Sequence, residues 1–154
     1  MDTRNLIDEF LSVKRFAMVG ISRKREEFSR RLFDELIKRD YDVVPVNPNA
    51  AVIEGRPCFQ KVKDVAPPVT SALVITPLGL LEEVLRDCAE GGVTLVWIYG
   101  MSGPQKLPPE ALRVSEEHGI ALVPGYCPFM FMPASAFFHR LHGGLLKVFG
   151  KYPR

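Results

Sequence analysis

Phe16-Ala17-Met18-Val19-Gly20-Ile21-Ser22-Arg23-Lys24-Arg25 is the stretch on which the fold turns. An apolar run of this length, ending on glycine and passing into polar and basic residues, reads as a strand buried on both faces and followed by its loop. The strand is expected over 16–21 and the loop over 22–28. Ser29 then offers a hydroxyl to cap a helix that runs to about Arg39, with Leu32, Phe33, Leu36 and Ile37 on one face.

The same pattern continues on both sides of this stretch. Upstream, 3–14 has Leu6, Ile7, Phe10 and Leu11 at helical spacing, with Asp2 or Thr3 as the cap. Downstream, 41–46 is a second strand that Asn47-Pro48-Asn49 stops, and 71–76 is a third that Pro77 ends. Residues 93–98 and 120–123 complete a set of about five strands. Helices are expected at 80–90, closed by Gly91-Gly92, and at 108–118, begun by prolines and ended by Gly119. The segment 50–68 reads as irregular, with a short strand at 57–59 and one helical turn at 61–65.

Strands that are continuous apolar runs and alternate with helices imply an α/β fold: a parallel sheet covered on both faces. Right-handed crossovers make it a three-layer, doubly wound, Rossmann-like sheet. Extra helices are expected at both ends, the C-terminal one over 134–149 and weakened by Gly143-Gly144. A chain of 154 residues supports one domain, with its core over about 14–128 and a helical extension over 129–154.

Composition narrows the function classes. The chain is 47% hydrophobic and 25% charged, as a globular protein with a real core should be. A net charge of +2 gives no case for nucleic acid. Beyond Glu117 no acid remains, while Arg140, Lys147, Lys151 and Arg154 do; that end suits an anion, an acidic partner or a membrane surface, and the favoured reading is a solvated basic helix. Cys58, Cys88 and Cys127 are odd in number and far apart, so buried free thiols in a reducing cytoplasm are expected rather than a zinc or disulfide site. The first ten residues are polar and mixed in charge, unlike a signal peptide, and no apolar run is long enough to span a bilayer.

In doubly wound sheets ligands bind beyond the carboxyl ends of the strands, where the strand order reverses. The candidates are therefore the strand tails, 20–25, 46–49, 76–78, 99–103 and 124–128. If the 71–76 strand lies beside the first, the crevice opens between Gly20-Ile21-Ser22 and Thr76-Pro77. The first loop has the chemistry of an anion seat: Gly20 admits a close backbone, Ser22 offers a hydroxyl, and Arg23, Lys24 and Arg25 bring positive charge beside a helix N-terminus. The bland reading is a basic loop in water; its place after the first strand favours binding.

The loop is not built for NAD. The fingerprint G-x-G-x-x-G has only Gly20 here, and Asn47-Pro48-Asn49 stands where an acid should end the second strand. Asp42 comes at the wrong end of that strand. A phosphate-binding G-x-x-x-x-G-K-[ST] is absent too.

Val19-Gly20-Ile21-Ser22, Ser29 and Val46-Asn47-Pro48 resemble the V-G-A-S, helix-start serine and V-N-P of the CoA-binding domain family, the small proteins similar to the N-terminal domain of succinyl-CoA synthetase alpha subunits. The likeness extends through Glu54-Gly55-Arg56-Pro57-Cys58-Phe59, Gly91-Gly92-Val93 through Val96-Trp97-Ile98, and Gly119-Ile120 through Cys127-Pro128, and so spans most of 16–128. The resemblance implies coenzyme A or an acyl-CoA as ligand. Gly20, Ile21, Ser22, Arg23 and Ser29 would serve the phosphates, and Arg25 joins them as a candidate through the positive charge of the loop. Val46, Asn47, Pro48 and Asn49 would border adenine and ribose, and Thr76, Pro77 and Leu78 the pantetheine arm. A basic residue often follows V-N-P in the family, and Asn49 stands there instead.

No nucleophile-base-orienter set is evident, so no catalytic residue is assigned, and the chain reads as a binding module: a stand-alone carrier, sensor or subunit in acyl-CoA metabolism. His118 reads as a surface residue at a helix end, and His139 and His142 lack the partners a metal site needs. Cys127, after the last strand, either approaches a CoA thiol or is a small buried hydrophobe. The apolar Tyr126, Phe129, Met130, Phe131 and Met132 point to packing or a subunit contact. Two other readings stay open: an NAD(P)-binding oxidoreductase by fold analogy, and an interaction module that docks a partner or second copy through 126–149.

Overall fold

The computed structural model describes residues 2–100, 107–128 and 131. Five parallel strands form the central sheet: β1 (Arg15–Val19), β2 (Asp42–Val46), β5 (Ser71–Val74), β6 (Leu95–Ile98) and β7 (Ala121–Pro124). Their order across the sheet is β2-β1-β5-β6-β7. The expected α/β, doubly wound, Rossmann-like architecture is thus present. The order reverses between β1 and β5, which pair with Ala17 opposite Ala72 and Val19 opposite Val74.

Alternation along each buried strand sends side chains to two cores. Phe16 and Met18 face one side, Ala17 and Val19 the other. On the first side lie α1 (Thr3–Ser12) and α2 (Phe28–Lys38). Phe10 of α1 packs 4.9 Å from Phe16 and edge-on to Trp97 at 5.4 Å, while Leu32, Phe33 and Leu36 of α2 fill the same layer. The N-terminal helix therefore covers the part of the sheet that α2 leaves bare, over β6 and β7. Its cap is Asp2, whose carboxylate accepts the Asn5 amide at 2.9 Å.

The second side is rich in valine. There α3 (Leu81–Glu90) and α4 (Pro109–His118) supply Leu81, Leu85, Cys88, Ala111 and Val114. A short 3-10 turn, Val62–Asp64, joins them, held where Asp87 of α3 accepts the Val62 and Lys63 amides at 2.8 and 3.0 Å. Gly119 ends α4 in the left-handed conformation, φ +66, as the sequence leads one to expect.

In segment 50–68 the helical turn expected at 61–65 is present as the 3-10 turn, but the rest is more ordered than expected. It holds a hairpin of β3 (Val52–Ile53) and β4 (Arg56–Pro57), and Phe59 bridges to Val46 at the edge of the sheet. The two turn residues, Glu54 and Gly55, both have positive φ. Among the described residues no helix is long and apolar enough to cross a membrane, and no group of histidine, cysteine and acid could hold a metal ion. The expected 134–149 helix, His139, His142, most of the 99–103 tail and Phe129, Met130 and Met132 lie outside the described residues.

Candidate functional site

At the end of β1 the chain has to turn sharply. Gly20 does so at φ +93, and a Cβ there would sit 2.9 Å from both the Ile75 carbonyl oxygen and the Thr76 methyl group. Only glycine lets the tail of β1 pass the tail of β5 this closely. The Gly20 amide donates to Val46 O at 3.3 Å and the Ile75 amide to Val19 O at 2.8 Å; beyond these bonds the strands part and a crevice opens.

The loop that follows is fixed by its own polar groups. Ser29 is buried, and its hydroxyl oxygen accepts the Ser22 amide at 2.9 Å. Ser22 Oγ in turn accepts the Lys24 amide at 3.0 Å. Ser29 is therefore not the cap of α2, contrary to expectation: the helix starts at Phe28, the cap position is Glu27, and no side chain caps it. The serine that looked like a helix cap braces the loop instead.

The second strand tail meets the loop. Asn47 Nδ2 donates to Ile21 O at 2.8 Å, its Oδ1 accepts the Asn49 amide at 2.7 Å, and Arg23 Nη1 reaches Asn49 O at 3.4 Å. Two adjoining cavities result. The first, about 460 Å³, is lined by Gly20, Ile21, Ser22, Arg23 and Lys24, by Asn47, Pro48 and Asn49, and by Ile75, Thr76, Pro77 and Leu80. The second, about 330 Å³, shares Gly20, Pro48, Thr76 and Leu80 with it and continues between the 3-10 turn and α3, over Val19, Val46 and Val84.

Charge separates the two. Arg23 and Lys24 line the first with no acid among its lining residues. The second has Lys61, Lys63 and Arg86 against Glu83, Asp87 and Glu90, with Lys63 paired to Glu90 at 3.1 Å. An anion is thus favoured in the first cavity, and an uncharged, partly apolar group in the second.

Most residues expected at the site converge here, and some do not. Arg25 turns away to pair with Glu54 at 3.2 Å. Leu78 packs against the valine-rich core. Cys127 is fully buried in the aromatic core and lines neither cavity. Cys58 lies behind Asn47, with its sulfur 3.9 Å from the Asn47 carbonyl oxygen, and burial raises its pKa. Asp42 sits at the far end of β2, bonded to Arg15 and Arg56, with no access to the crevice. Sequence reasoning missed Leu80, Lys61 and Val84, which follow the strand tails, and the buried Arg30 with its partner Glu54. Arg30 carries one faint signal, a charge at the edge of an apolar helix stripe.

The model of the CoA binding domain matches residues 14–133. The chain belongs to that family. Among curated proteins, this CoA-binding domain is 23% identical over 131 residues to the alpha subunit of ADP-forming acetate–CoA ligase II of Pyrococcus furiosus, covering 79% of this chain and 28% of that protein. The chain thus spans little more than a quarter of that relative's length. A solved hypothetical protein from Pyrococcus horikoshii is 24% identical, with TM-score 0.71 and coverage of 83% and 87% of the two chains; it shows the fold. The dinucleotide-forming acetyl-coenzyme A synthetase 1 of Ca. Korarchaeum cryptofilum is 25% identical, with TM-score 0.61, over 71% of this chain and 25% of that one.

Proposed function

We propose that this domain binds coenzyme A or an acyl-CoA in the crevice between β1 and β5. The diphosphate lies in the first cavity, on the Ser22 hydroxyl and the Arg23 and Lys24 side chains. The adenine enters the second, against Val46, Pro48, Leu80 and Val84. Pantetheine runs out past Thr76 and Pro77. The observation that carries the reading is the division of charge: two cations and no acid among the described residues that line the first cavity, beside a charge-balanced, apolar neighbour. A ligand with one strongly anionic part and one flat, neutral part matches that pair.

The role is that of a carrier, a sensor or the CoA-holding part of an acyl-CoA enzyme. Membership in the CoA-binding domain family and the likeness to ligase subunits support it. Isothermal calorimetry on protein freed of bound ligand should give micromolar or tighter binding of CoA and acetyl-CoA, with dephospho-CoA as comparison. No heat with any of the three would falsify the proposal. Micromolar binding of NADH instead would revive the oxidoreductase reading.

A further inference from the structure

Arg30 sits in the first turn of α2 with its side chain only 5% exposed. Its Nη1 donates to the carbonyl oxygens of Ser22 at 3.4 Å and Arg23 at 3.1 Å. Its Nη2 bonds Glu54, on the β3–β4 turn, and Glu54 also holds Arg25. The carbonyl before these, on Ile21, is taken by Asn47. Three successive loop carbonyls are thus tied to donors of the protein body.

The peptide bond makes this consequential. It is planar and trans, so a carbonyl held toward Arg30 sends the next amide the opposite way. The bond to Ser22 O therefore turns the Arg23 amide away from the guanidinium. Among the described residues that amide has no hydrogen-bond partner. Stability alone gives little reason for such a clamp. Arg30 Nε is buried with no partner among the described residues. Buried ion pairs are often replaceable by apolar groups at no loss, and an unsatisfied buried donor is unfavourable.

We propose that Arg30, fixed by Glu54, is a positioning residue for anion recognition. It draws the Ser22 and Arg23 carbonyls back, so that the loop offers the Arg23 amide and the Ser22 hydroxyl to a diphosphate rather than repelling oxygens. The proposal rests on the reading of this loop as the phosphate seat.

Arg30→Met keeps the length and removes the donors. Its melting temperature should fall, since two part-buried carbonyls and Glu54 lose a donor, and the comparison is made at a temperature where the variant is fully folded. The Ser22 and Lys24 amides should exchange hydrogen at least tenfold faster, and CoA affinity should fall at least tenfold. Arg30→Lys should recover part of both, and Glu54→Gln should lie between. The two milder variants carry the test if Arg30→Met does not fold. CoA affinity within twofold of the parent in Glu54→Gln and in a folded Arg30 variant overturns the proposal, as does lost affinity with unchanged loop exchange. Should the parent protein bind no CoA, the phosphate-seat reading falls, and loop exchange alone then decides whether Arg30 sets the loop.

Discussion

Ser22 holds two bonds at once, its amide on Ser29 and its Oγ under the Lys24 amide, and both keep the loop closed. An aspartate at this position retains an acceptor for Lys24, so Ser22→Asp should fold normally. It also sets a full negative charge beside the proposed diphosphate. Like charges about 4 Å apart at an effective dielectric of about 20 repel by about 4 kcal/mol before screening, so CoA affinity should fall about tenfold or more. Calorimetry with an unchanged unfolding midpoint checks this; unchanged affinity in a folded variant would mean that the phosphates bind elsewhere. At this scale the sequence was partly legible. Gly20, Ser22, Arg23 and Asn47 announced themselves through residue type and position after a strand. Arg30 and Glu54 did not, since their meaning comes only from a contact across 24 residues, made by a turn in a segment with no periodicity.

At the scale of the element, α2 is defined as much by what it braces as by what it buries. Ser29→Ala removes the acceptor of a part-buried amide without touching the apolar stripe of Leu32, Phe33 and Leu36. The expected loss is about 1–3 kcal/mol, the penalty for an unsatisfied buried donor. It should be read from urea unfolding, with the Ser22 amide becoming the fastest to change in hydrogen exchange. A true helix cap would instead speed exchange at the first turn of α2. The long elements could be read from the sequence to within about two residues because each is a single apolar run or stripe bounded by glycine, proline or asparagine. The hairpin could not: its strands are two residues each, one contains Pro57, and they are held by contact with β2 through Phe59 rather than by local preference.

For the molecule as a whole, buried weak acids set the alkaline limit. Burial pushes the Cys88 thiol from 9.0 up to about 12, and the neighbouring Asp87 charge adds to this. Burial and then Cys127 raise Tyr99, and burial also raises Tyr41, Tyr126 and Cys58. An unfolded chain would release these protons from about pH 9 to 10, while the fold keeps them. The unfolded state then binds fewer protons, so stability falls as pH rises. The contribution is whole below pH 9 and drains away toward pH 12. Urea midpoints measured from pH 8 to 11 should decline, less steeply in Cys88→Ala; a flat series would show that these groups are not shielded.

Trp97 is the sole tryptophan of the chain, and it is wholly enclosed. Its indole Nε1 donates to Gly125 O at 3.1 Å, stitching β6 to the segment after β7, and it lines neither cavity. Nature has thus placed the single indole in the interior and away from the crevice. Its emission is a built-in gauge of whether the sheet is intact, blue while the ring is dry and red once water reaches it. Ligand titrations of every variant described above can therefore be read beside an intrinsic signal that answers to the scaffold alone.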